Sequence, residues 1–132
     1  MSSLVDPEEQ ALKADPRLGE AITLFNQGEW YACHDGFEEL WHGTNGPMRA
    51  VLQGILQIAV SQIHRERGNL RGATVLMGEG LGRLQRCDRE ALGLDLDSLR
   101  QAAAGHLHAL QGGQSGDDAG LQPLKLLSQP DL

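Results

Sequence analysis

Apolar residues recur every three or four positions between well-marked stops, and strand-like alternation is absent, so the pattern predicts helices. A first helix begins after Asp15, with Pro16 at its first position, where a missing N–H costs nothing. It runs through Leu18, Ala21, Ile22, Leu24 and Phe25 to a stop at Gly28. A second spans about Glu29 to His42 and closes at Gly43-Thr44-Asn45-Gly46-Pro47. A third runs from about Met48 to Arg67, with Arg65 and Arg67 in the last turn, where the negative end of the helix dipole favours cations. Asn69 is expected to cap a fourth helix that continues to about Arg86, and Asp97 a fifth through Leu99, Ala103, Leu107 and Leu110. The expected fold class is all-α: a single compact bundle of about five helices over residues 1–111, then a linker and C-terminal tail over residues 112–132. Gly112 to Gly120 is Gly, Ser and Asp rich and reads as a flexible linker. The terminal LQPLKLL has enough leucine to dock on the body, although Pro123 opposes a regular helix there.

Six glycines, at 36, 54, 72, 78, 80 and 82, fall inside these helices, where each costs about 1 kcal/mol relative to alanine. Close helix packing repays that cost at Gly54 and Gly72. Gly78, Gly80 and Gly82 are two apart and cannot all face one neighbour, so a frayed or bent segment is expected there.

The second and third helices carry the candidate chemistry. On the second, Trp30, His34, Phe37, Glu38 and Trp41 share a sector of about 100 degrees, which puts an imidazole and a carboxylate on an aromatic, core-facing stripe. On the third, Gln53, Gln57, Ser61 and His64 form a stripe opposite the apolar face of Leu52, Ile55, Leu56, Ala59 and Ile63. A water-facing stripe of four turns usually carries Lys, Glu or Arg. Its lack of charge points to a covered face, whose amides then need partners, because an unpaired buried amide costs about 1–3 kcal/mol.

The expected pocket therefore comprises His34, Glu38, Trp41, Gln53, Gln57 and His64, between two antiparallel neighbours. Three readings fit it. The groups form a buried hydrogen-bond network that fixes helix register. Alternatively, His34, Glu38 and His64 ligate a divalent metal such as zinc, manganese or iron, with one coordination position left open. Or the pocket is metal-free and binds a small polar ligand or does acid/base chemistry, with Glu38 setting a histidine tautomer. Whether the chain is an enzyme is undetermined by these residues. A reading from another class makes it a structural or interaction module that dimerises or holds a partner through Trp30 and the leucine-bearing tail.

Other groups are expected to be ordinary. His42, His106 and His108 read as surface histidines. Cys33 points away from His34, Cys87 reads as a half-buried thiol, and Ser61 lacks a glycine elbow.

Composition narrows the field. At 132 residues the chain can bury a core without staples, and two isolated cysteines suggest neither a zinc knuckle nor a disulfide framework. A net charge of -7 opposes a phosphate backbone, so no nucleic acid is expected as partner; Glu66 interrupts the Arg65, Arg67, Arg71 cluster. The N-terminus does not resemble a secretory signal. The longest uncharged run, Ala50 to Ile63, is shorter than a membrane span of about 20 residues, so a soluble, cytoplasmic protein with no membrane partner is expected.

The segments FNQGEWYACHDGFEELWHG and RAVLQGILQIAVSQIHRERGNLRGATVLMGEGLGRL resemble the domain of unknown function 309 family over about residues 20–86. The shared pattern is a His and a Glu four apart before a Trp, then Leu-Gln-Gly, a His, and Gly-Asn-x-x-Gly-Ala. The resemblance implies a compact helical domain whose shared residues are His34, Glu38, Trp41, Gln53, Gln57, His64, Asn69 and Gly72. It brings no established activity. Asp35 stands where the pattern often has Glu, and the C-terminal third lies outside the likeness.

Overall fold

Asp-Pro pairs start the first two helices of the computed structural model, which describes residues 5–113 and 120–129. Asp6 accepts from the Glu8 N–H at 3.0 Å to cap α1 (Pro7–Ala14), and Asp15 accepts from the Arg17 N–H at 2.9 Å to cap α2 (Pro16–Asn26). The remaining elements are α3 (Trp30–His42), α4 (Met48–Glu66), α5 (Leu70–Gln85), the short strands β1 (Glu90–Ala91) and β2 (Leu94–Asp95), and α6 (Leu96–Gln111). The fold is all-α with one hairpin of two-residue strands, and among the described residues six helices stand where about five were expected. The addition is α1. Only Leu12 of its eight residues is buried, so it has no apolar periodicity to betray it.

α4 is the central rod, packed between α3 and α5, with ten of its nineteen residues buried. Small residues set its distance from α5: a Cβ on Gly54 would lie 2.8 Å from Leu84 side-chain carbons, and one on Gly80 would lie 2.8 Å from the Gly54 carbonyl oxygen. Close packing at Gly54 is therefore as expected. At Gly72 the crowding comes from the Asn69 cap and His64. α5 runs unbroken through Gly78, Gly80 and Gly82; Gly80 meets α4, Gly78 nears Leu107 of α6, and Gly82 faces open space.

Helix ends are held by specific acceptors and donors. Gly68, at φ +80, takes the left-handed turn that ends α4, and Asn69 then accepts from the Gly72 N–H at 3.0 Å to start α5. Arg100 of α6 feeds one nitrogen to the carbonyls of Leu84 (2.6 Å) and Cys87 (3.1 Å), neutralising the C-terminal end of α5. Its other nitrogen donates to Asp97 at 2.6 Å, and that hydrogen bond holds the Asp97 carboxyl below its ordinary value. The α6 cap is Asp95, accepting from Ser98 N–H, rather than the expected Asp97, which lies within the first turn.

The C-terminal segment crosses the bundle as an extended strap. Asn26, the last residue of α2, donates to the Leu126 carbonyl (2.9 Å) and accepts from the Leu126 N–H (2.7 Å), while Leu124 and Leu126 are buried in the core. The docking expected of LQPLKLL is realised. The expected flexible linker falls mostly on residues 114–119, outside the described residues.

Candidate functional site

The expected pocket residues all lie half-buried, but they engage different neighbours. The core stripe of α3 is Cys33, Phe37 and Leu40; His34 and Glu38 sit on its flank. His34 bonds within its own helix, with Nε2 at 3.5 Å from Glu38 Oε2 and Nδ1 at 3.2 Å from Asp35 Oδ1. Gln57 turns instead to α5, donating to Glu79 at 3.2 Å and accepting from Arg83 at 2.9 Å. His64 Nδ1 lies 3.0 Å from Asn69 Nδ2, so it backs the α5 cap. Trp41 lies under the Arg49 guanidinium, 4.0 Å from the ring centroid, and Arg49 also donates to the Trp41 carbonyl at 3.0 Å. Gln53 is half-buried on the same stripe of α4 as Gln57 and His64.

Among the described residues, no group of three or more His, Cys, Asp and Glu side chains could hold a metal ion. The expected ligands His34, Glu38 and His64 engage separate neighbours: His64 is held at the α5 cap while His34 and Glu38 pair along α3. Among the described residues no hydrogen bond or ion pair joins His34 or Glu38 to Gln57 or His64; Glu38 meets the His34 imidazole, and Gln57 and His64 meet groups of α5 and its cap. Burial pushes the Cys33 thiol up to about 12, which keeps it protonated and unreactive.

A different place on α4 has the properties sought. Gln62 is 4 % exposed, and its Nε2 is buried with no hydrogen-bond partner. It lines an open cleft of about 430 Å³, within the range of ligand sites. Phe25 and Trp30 contribute an edge-on aromatic pair, with centroids 5.1 Å apart and planes at 88°. Leu124 and Lys125 of the strap form the far wall.

His106 of α6 completes the cleft, which corrects its reading as a surface group. It is 5 % exposed, and its Nε2–H donates to the Gln122 carbonyl at 2.9 Å. The sequence contained a signal for both residues. His106 continues the buried series Leu99, Ala102, Ala103 of α6, and Gln62 continues Ile55, Ile58, Ala59 of α4, so each sits on an apolar face. Trp30, Leu124 and Leu126 pack against the core, while Leu127 of the same tail is exposed.

Residues 18–76 match the model of a domain of unknown function, DUF309. This segment belongs to that family. The DUF309 stretch supplies Phe25, Trp30 and Gln62 to the cleft, while His106 and the strap come from outside it. No curated protein matches the chain. No helix among the described residues is long and apolar enough to cross a membrane.

Proposed function

We propose that this protein is a small-molecule-binding helical domain whose site is the cleft walled by Phe25, Trp30, Gln62, His106, Leu124 and Lys125. One observation carries the reading: the unpaired Gln62 amide nitrogen, whose carbonyl oxygen accepts only a long 3.5 Å hydrogen bond from Arg65. A buried donor left without an acceptor costs about 1–3 kcal/mol, and a leucine there would avoid that cost. Such a cost is consistent with a position kept for binding. The described lining has no carboxylate, thiol or hydroxyl side chain, which favours holding a ligand over converting one. The partners of Gln57 and His64 favour a structural role for the opposite stripe of α4, where they tie α4 to α5.

The test is a titration with phenylacetamide, which offers one carbonyl acceptor on an aromatic body, followed by NMR. Saturable shifts of the Gln62 side-chain amide and the Trp30 indole N–H are expected, without a shift at Trp41. In Gln62→Leu the saturation at Trp30 is expected to vanish while the fold is retained. Unmoved Gln62 and Trp30 signals at millimolar phenylacetamide would count against the reading.

A further inference from the structure

The same cleft carries a charge pattern that goes beyond shape. On a chain of net charge -7, its described lining contains a lysine and no acidic side chain. Lys125 spends one of its three N–H donors on the Asn26 carbonyl, which leaves two for another acceptor. Gly28 and Trp30 bring the start of α3 to the rim; its N-cap is Glu29, whose exposed carboxylate caps none of the first-turn amides and lies outside the described lining. Its first-turn amides therefore lack a capping acceptor, and its dipole presents a partial positive charge. Gln62 adds a fully desolvated donor at the wall. Three positive or donating features from separate elements line the same cleft as Phe25 and Trp30.

Resting on the ligand-binding reading above, we propose that the cleft takes an organic carboxylate. The carboxylate would be received by Gln62, Lys125 and the start of α3, and an aromatic or branched aliphatic body would pack on Phe25, Trp30 and Leu124. A carboxylate suits this donor set better than a neutral carbonyl, because hydrogen bonds to an ionised acceptor are roughly twice as strong as neutral ones. It suits the set better than a phosphate, whose greater charge calls for an Arg cluster, because the described lining holds a single lysine and no arginine. The Gln122 carbonyl is no competitor for these donors, since the His106 N–H satisfies it.

The experiment compares phenylacetate, phenylacetamide and phenyl phosphate by the Gln62 and Trp30 NMR signals at neutral pH. Phenylacetate is expected to bind about tenfold more tightly than phenylacetamide, and the ratio is expected to fall toward one in Lys125→Met or in high salt. Equal or weaker binding of phenylacetate overturns the carboxylate assignment but leaves the ligand-binding reading standing, because phenylacetamide still binds. Phenyl phosphate binding more tightly than phenylacetate also overturns it, in favour of a phosphate ester. If none of the three moves either signal, the ligand-binding reading fails and this inference goes with it.

Discussion

Two polar sides of α4 differ in how they are satisfied. Gln57 and His64 are half-exposed and met by charged or polar groups of α5 and its cap. Ser61, buried on that same α5-facing side, finds the Ala73 carbonyl at 2.7 Å, whereas Gln62 on the other side leaves its amide nitrogen unpaired beside a cleft. Polarity on a helix says little about function until the partners are counted. A satisfied polar group explains itself as structure, whereas a buried and unsatisfied one is met by water or a ligand; of Trp41 Nε1 and Gln62 Nε2, both unpaired, only Gln62 lines the cleft.

That contrast can be broken most severely at the α4–α5 contact. Gly80→Ala drives a Cβ into the Gly54 carbonyl, a backbone atom that cannot yield cheaply, and is expected to cost about 3 kcal/mol in urea denaturation. Gln62→Leu should move stability the other way, gaining about 1–2 kcal/mol by removing the orphaned amide. A loss of that size would mean that Gln62 is satisfied in solution and that the two sides of α4 are alike. Ser61→Ala is expected to cost about 1 kcal/mol, the net worth of one hydrogen bond. Gln57→Leu should cost about 0.5 kcal/mol, because its charged partners can turn to water.

The smallest effect is a control away from α4. The folded Asp97 carboxyl titrates below its ordinary value of 3.8, so its contribution is full above that pH and is lost as pH falls through the lower folded value. Asp97→Asn should flatten that acid limb of the stability profile and leave neutral-pH binding of phenylacetamide unchanged.

The helices from α2 to α5 were legible because their punctuation is strong: Asp15-Pro16, Gly28, the Gly43–Pro47 turn and Gly68-Asn69 each fix an end within a residue or two. α1 has the same signature at Asp6-Pro7, yet it shows no stripe because acidic side chains do its work. Glu8 receives the Asn45 and Gly46 N–H groups, and Glu9 receives that of Leu92. The hairpin was invisible for a different reason. Its turn places Leu92 at φ +57 before Gly93, where Asn or Asp is the usual signal, and core burial of Leu92 overrides that preference. In the candidate site, residue types misled: histidine and glutamate on α3 drew attention, while Gln62 and His106 were hidden among apolar neighbours on faces whose period was readable. The pairing of Asn26 with Leu126 spans 100 positions and has no local pattern at all.

That pairing has a consequence for the order of assembly. During synthesis, the six helices leave the ribosome before the segment that holds Leu121 to Lys125, so the bundle can collapse while Gln62 is still reached by water from the strap side. The closing step then costs little chain entropy, since loop closure grows only slowly with length, and a ligand already seated against Trp30 would favour it.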